Sequence, residues 1–155
     1  MMNRRDLLGL IAALAVCFGA AAVGSQFMPG AWYAGLEKPP WTPPGAVFGP
    51  VWTVLYAMMA VAAWLVWKRR AVTAVGPALV LFVIQLALNA AWSWLFFGLE
   101  RPDLALIDIA VLWAVILATT ALFWRVRPLA GWLLLPYLAW VSFAAALNWQ
   151  IWRLN

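Results

Sequence analysis

EKPPWTPPGAVFGPVWTVLYAMMAVAAWLVWKRR, residues Glu37 to Arg70, holds in one run the features that decide the fold. From about Val47 to Trp67 it is apolar over the length of a bilayer crossing, about 20 residues. Lys68, Arg69 and Arg70 stop it. Ahead of the apolar run, Pro39, Pro40, Pro43 and Pro44 bracket Trp41. Proline fixes φ, removes a backbone donor and pushes the preceding residue towards extended geometry. Trp41 and Thr42 are therefore expected in an extended, polyproline-like segment. A helix can begin soon after Pro44, with Pro50 tolerated in its first turns. Phe48, Trp52 and Tyr56 then stand at i, i+4 and i+8, along one helical face.

The rest of the chain shares this character. Of 155 residues, 68% are hydrophobic and 10% charged, and the mean hydropathy is +0.93. Soluble domains are about half apolar and about a quarter charged. The composition therefore points to an integral membrane protein. The net charge of +5 comes from short basic clusters between apolar runs. Such clusters are topology signals and do not form a nucleic-acid-binding face. Cys17 is the one cysteine, so no intrachain disulfide exists. There is no histidine, which removes the commonest metal ligand and the usual base near neutral pH. No metal-ligand cluster, phosphate loop or paired-carboxylate site is visible.

Five spans are expected, at about 7–27, 47–67, 77–97, 104–124 and 129–152, with a long loop at 29–46. The first opens with Arg4 and Arg5, like a signal peptide. Its apolar run is about 20 residues, beyond the usual signal core, so a packed first helix is expected. Ala15/Gly19 and Ala20/Gly24 are small-residue pairs suited to close helix contact. The loop carries Trp32, Tyr33 and Trp41 with only Glu37 and Lys38 as charges. It fits either an interfacial aromatic belt or a lid. Trp64 and Trp67, beside the basic cluster, read as belt residues.

In the third span, Gln85, Asn89, Trp92 and Phe96 form one stripe. Its amides need partners inside the membrane, from neighbouring helices or from a ligand. In the fourth, Asp108 is shallow and reads as an interfacial or capping group near Arg101. In the fifth, Tyr137, Trp140, Ala144 and Asn148 share a face, with Pro136 loosening the helix before them. Were these faces to converge under the loop, the cavity would suit a large, flat, mostly apolar molecule. Without imidazole, a tetrapyrrole would be held by shape and stacking, metal-free or as haem. Basic residues set orientation. Arg4, Arg5, Lys68, Arg69, Arg70, Arg125 and Arg127 lie on one side, and Lys38, Arg101 and Arg153 on the other. This predicts a cytoplasmic N-terminus, with the loop and the C-terminus outside.

The run W-Y-x-x-L-x-K-P-P-W-x-P-P-x-x-x-F-G-P-V-W-x-x-L-Y, from Trp32 to Tyr56, resembles the signature of the tryptophan-rich sensory protein family. This is also the translocator protein, or peripheral-type benzodiazepine receptor, family. Gln85 to Gly98, Ala105 to Asp108 and Pro136 to Asn148 match it too, so the resemblance spans essentially the whole chain. It implies an all-α bundle of five transmembrane helices, usually dimeric, with a pocket closed by the first loop. It also implies binding of porphyrins such as protoporphyrin IX, of sterols and of benzodiazepine-type ligands. Carried over by position, the ligand-binding residues are Tyr33, Trp41, Phe48, Trp52, Tyr56, Asn89, Trp92, Trp140, Ala144 and Asn148. Trp52 and Trp140 match the tryptophans linked to light-dependent porphyrin breakdown. No cofactor is required, porphyrin being the ligand. A bacterial cell membrane is the expected location. One segment departs from the pattern. Near the C-terminus, LNWQIWRLN has Trp149 where animal members have the tyrosine of a sterol-recognition motif. Such motifs are weak even when intact, so a tetrapyrrole is expected ahead of a sterol.

Overall fold

A computed structural model describes residues 3–155, and the described residues are helical with no strand. The elements are α1 (Arg4–Gly24), the short α2 (Ala31–Gly35), α3 (Gly45–Trp67), α4 (Gly76–Ser93), α5 (Pro102–Val126) and α6 (Pro128–Leu154). A π-helical turn, Trp94–Gly98, continues α4. Five helices of 21 to 27 residues are long and apolar enough to cross a membrane. At about 1.5 Å per residue, even the shortest covers the roughly 30 Å hydrocarbon core.

Helix ends depart from the span estimates for local reasons. α1 starts at Arg4 because Asn3 caps it, its Oδ1 accepting from the Asp6 N–H at 2.7 Å. Hydropathy marks where a helix enters lipid, not where its hydrogen bonds begin. α3 starts at Gly45, directly after Pro44, which puts Pro50 in its second turn. The missing N–H of Pro50 leaves the Ala46 carbonyl without its helical donor. Proline starts α5 and α6, where its lost donor costs least.

The helices close into a ring in the order α1, α3, α6, α5, α4. Although α3 and α4 are consecutive spans, they meet only weakly, because α1 lies between them. The chain from Lys68 to Val75 therefore spans from α3 to α4 at the end of the bundle where α1 begins. On one side, Trp64 donates its indole N–H to the Asp6 carbonyl at 2.8 Å, pinning α1 to α3. Trp67 lies flat on α1 at Gly9, where a Cβ would come within 2.4 Å of the ring. These two tryptophans thus also pack α3 against α1, beside the basic cluster. On the other side, Gly24 faces Ser93 and Ala90 of α4, where a Cβ would make ordinary contact at 3.4–3.9 Å, whereas Gly19 faces nothing within 4 Å. Only one of the two small-residue pairs thus meets a helix of the same chain.

The interior packs at two levels. The larger cluster, around Met59, Phe82, Ile116, Phe123 and Leu134, fills the end where α1 begins. A smaller one, with Phe96, Ala105, Leu147 and Ile151, is roofed by Trp32, Tyr33 and Leu36 of the loop. Lipid-facing positions such as Val54, Val80, Ile107 and Val111 stay exposed on the outer surface.

The loop differs from the extended segment that its prolines suggest. It folds a one-turn helix, α2, and then a turn in which the Thr42 N–H and Oγ1 both donate to the Pro39 carbonyl, at 3.0 and 2.7 Å. Pro40 and Trp41 occupy the centre of that turn, where proline's fixed φ suits the first position. Asn155 fastens the loop from α6. Its Oδ1 accepts from the Glu37 N–H at 3.0 Å, and its Nδ2 donates to the Glu37 carbonyl at 2.9 Å.

The π turn ends sharply. Leu99 N–H donates to Trp94 O at 2.8 Å, and Glu100 takes φ 56°, the left-handed region. Gly98 is required here by packing. A Cβ would lie 2.8 Å from Phe27 and 3.0 Å from Trp94. Gly98→Val should therefore cost about 1–3 kcal/mol by overpacking, read as a lower midpoint of thermal unfolding in detergent. Gly19→Ala, with open space around it, should leave the midpoint unchanged or slightly raised.

Candidate functional site

A cavity of about 780 Å³ lies between the two interior clusters, beneath the loop. Ligand pockets commonly fall between about 300 and 1,000 Å³, so its size fits a large organic molecule. α3 supplies Phe48, Trp52 and Tyr56 to its wall. α4 supplies Asn89, Trp92 and Phe96, and α6 supplies Trp140, Ala144 and Asn148. Tyr33, Lys38 and Thr42 come from the loop.

Nine of the ten sequence-nominated residues thus stand on this wall: Tyr33, Phe48, Trp52, Tyr56, Asn89, Trp92, Trp140, Ala144 and Asn148. Trp41 is placed elsewhere. It is 47% exposed and sits edge-on to Phe143 at 5.7 Å. The cause is the Pro39–Thr42 turn, which points the indole off the lid. Tyr137 is fully buried behind the wall.

The aromatic groups hold one another in edge-on contacts, the geometry their quadrupoles favour. Trp52 meets Trp140 at 6.5 Å and 89°, and Tyr137 at 6.2 Å and 68°. Phe48 meets Trp140 at 5.7 Å and 70°. Under the loop, Trp92 stacks on Phe96 at 5.0 Å. Tyr33 sits edge-on to both Phe96 and Phe97. The π turn, which begins two residues after Trp92, carries Phe96 and Phe97. Such turns recur at functional sites because they reset the register of a helix face. No apolar periodicity in WLFFG announces one.

The polar groups form two bridges. Tyr56 donates its hydroxyl to Asn89 Oδ1 at 2.9 Å, and Asn89 Nδ2 donates to the Tyr137 hydroxyl at 2.7 Å. Trp92 Nε1 donates to Asn148 Oδ1 at 3.0 Å, and Asn148 Nδ2 donates to the Pro102 carbonyl at 2.9 Å. Both amide oxygens are thus engaged by neighbouring helices, and each NH₂ keeps one donor. Gln85 is different. Its Nε2 reaches only Met59 Sδ at 3.7 Å, and its Oε1 is buried without a partner.

Two further wall groups escaped sequence reading. Trp140 Nε1 is buried without a hydrogen-bond partner. An unpaired N–H in so apolar a place costs free energy. Lys38 is the one charged side chain on this wall among the described residues. Its Nζ donates to the Leu36 carbonyl at 3.0 Å and lies 4.6 Å from the Tyr33 ring centroid. Partial burial raises the Tyr33 hydroxyl pKa above its ordinary value. α1 also contributes, through Phe18, Ala21 and Gly24. Its uniform hydrophobicity hid that face from the sequence. Asp108 makes no pair with Arg101, whose guanidinium instead grips Asp103 at 2.8 and 2.6 Å. No cluster of metal-ligating side chains occurs among the described residues.

Fold and site together define a membrane-embedded five-helix bundle enclosing an aromatic, ligand-sized cavity. The model of the TspO/MBR family matches residues 9–153. The human translocator protein is 45% identical over 142 residues, covering 86% of this chain and 82% of that protein. The tryptophan-rich protein TspO of Chlorobaculum tepidum is 44% identical over 161 aligned positions, covering 99% of each. Protein CrtK of Rhodobacter capsulatus is 39% identical over 142 residues, covering 90% and 88%. The chain belongs to the TspO/MBR family and is an integral membrane protein.

The tyrosine–asparagine bridge makes a direct prediction. Asn89→Leu removes the amide and strands both tyrosine hydroxyls. It should destabilise by about 1–3 kcal/mol, more than Tyr137→Phe, which strands only one N–H. In denaturant titrations, a Tyr56→Phe/Asn89→Leu cycle should be non-additive. Additive losses would mean that the two groups are not coupled.

Proposed function

We propose that the chain is a membrane receptor, acting as sensor or translocator, that takes tetrapyrroles of the protoporphyrin IX type into the cavity under the loop. The observation that carries this reading is the composition of the wall. Indole and phenyl faces surround a space of about 780 Å³, with Lys38 at the lid. A flat macrocycle with apolar faces stacks on the rings. Its carboxylates find Lys38. Haem fits the same terms, held by shape without imidazole ligation. Sterols and benzodiazepine-type ligands share only the apolar part of this recognition. In this reading the protein works as a homodimer in a bacterial cell membrane. Its N-terminus is cytoplasmic, and the loop and C-terminus lie outside, as the basic-residue bias indicates. Relatives named translocator protein and tryptophan-rich sensory protein support such a role.

Light-driven porphyrin breakdown is a second reading, favoured by Trp52 and Trp140 standing edge-on at the same wall. An excited porphyrin there has two indoles within reach as electron donors.

Titration of the protein with protoporphyrin IX in the dark should quench tryptophan fluorescence saturably. Trp52→Ala and Trp140→Ala should each weaken binding, roughly tenfold for the loss of one buried aromatic contact. Lys38→Met should weaken protoporphyrin IX but leave its dimethyl ester nearly unaffected. Absence of saturable quenching in nanodiscs would remove the receptor reading. Under illumination, porphyrin absorbance should decay into a discrete product, and Trp52→Phe with Trp140→Phe should abolish that decay. Equal decay with free tryptophan would remove the photochemical reading alone.

A further inference from the structure

The end of the bundle away from the loop carries a second concavity, lying where α1 begins and α3 ends. A groove of about 360 Å³ runs there between Arg5, Leu8, Gly9 and Ala12 of α1 and Trp67 and Arg70 beside them. Its floor is the Trp67 indole, which lies flat on the α1 backbone because Gly9 has no side chain. Arg70 stacks on that indole at 3.4 Å from the ring centroid, and its Nη1 donates to the Trp67 carbonyl at 3.1 Å. Stacking fixes the guanidinium plane and leaves its other edge N–H groups free to donate.

Arg5 rises from the opposite wall. The nearest acid, Asp6, is already taken by Lys68 at 3.6 Å. Neither Arg5 nor Arg70 has a carboxylate partner among the described residues. Below this positive rim, Leu8 is 57% exposed, and Ala12 is exposed on the same side of α1. The groove thus joins two unneutralised guanidinium groups to an apolar strip that continues into the membrane-facing surface.

We propose that this groove binds an anionic phospholipid, with its phosphate between Arg5 and Arg70 and an acyl chain along Leu8 and Ala12. Guanidinium forks match phosphate oxygens in charge and geometry. Basic pockets between membrane helices at the bilayer surface select anionic head groups. A free phosphate ion would satisfy the rim and leave the strip empty. A zwitterionic lipid would fill the strip and bring its own cation to the rim. The anionic lipid alone complements both halves. This site is independent of the cavity under the loop, which lies at the other end of the bundle.

Native mass spectrometry and thermal unfolding of the purified full chain in detergent test it, with phosphatidylglycerol and phosphatidylcholine of identical acyl chains. Phosphatidylglycerol should be retained roughly tenfold better, as two nearby cations warrant, and should raise the unfolding midpoint. Arg5→Gln with Arg70→Gln should abolish that preference. Arg125→Gln with Arg127→Gln, at the same end of the bundle, should preserve it. Ala12→Trp, which fills the apolar strip and keeps both arginines, should weaken phosphatidylglycerol as well. Equal retention of the two lipids would overturn the proposal. So would equal loss from the two arginine pairs, which would indicate diffuse surface charge. Unaltered binding in Ala12→Trp, or displacement by equimolar glycerol 3-phosphate, would overturn the acyl-chain contact and with it the lipid.

Discussion

The structure turns on the bridge from Tyr56 through Asn89 to Tyr137. In hydrocarbon no water relieves an unpaired polar group, so each must find its partner within the protein. This bridge meets that demand across the interior. It joins α3, α4 and α6, although α4 stands apart from α6 in the ring and only brushes α3. Between α4 and α6, side chains alone make the connection through the middle. The bridge also marks the depth at which close packing stops. Met59, Ile116 and Leu134 fill the space on one side, and Trp52 and Trp140 face the cavity on the other.

Above that level, backbone irregularity takes over from close packing. Pro50 breaks one hydrogen bond of α3 beside the cavity, and the π turn breaks the register of α4 where it meets the loop. Irregular backbone is tolerated at membrane depth where it is buried in protein or lines a cavity. Both irregularities border this one. The loop is held at both ends of its path. Tyr33 and Trp32 rest on Phe96, and Asn155 grips the backbone of Glu37. The loop is thus a packed roof, which an interfacial belt would not need to be.

Much of this was legible in the chain. Continuous apolar runs mark spans whatever their packing, so the five crossings were readable to within a few residues. Periodicity placed Phe48, Trp52 and Tyr56, and likewise Gln85, Asn89 and Trp92, on common faces, because helical geometry is local. The order of helices in the ring was not readable. Nothing in α1, apolar on every side, says that it separates α3 from α4. The turn at Pro39–Thr42 was misread for a related reason. Prolines restrict φ but do not choose between an extended path and a turn, and the Thr42 contacts to the Pro39 carbonyl decide it. With that choice Trp41 moved off the cavity wall. The place of Lys38 on the wall and the unpaired Trp140 N–H were missed because each is defined by what surrounds it, which no single residue reveals.

The division between a packed lower half and an open upper half also bears on which residues can change without loss of the fold. A void lined by indoles forgoes dispersion contacts that a filled core would keep. That deficit must be met elsewhere, and the fully buried cluster around Met59, Ile116, Phe123 and Leu134 is where it is met. Trp52 and Trp140 therefore face space on one side and can be truncated at modest cost to the bundle, whereas Asn89 belongs to both halves. Its amide lines the cavity and also ties three helices together. A ligand that competes for the free Asn89 N–H would act on a group that couples the cavity wall to the packing of the bundle. Tyr56 and Asn148 also line the cavity while bonding across helices, so the wall and the helix contacts share their polar groups.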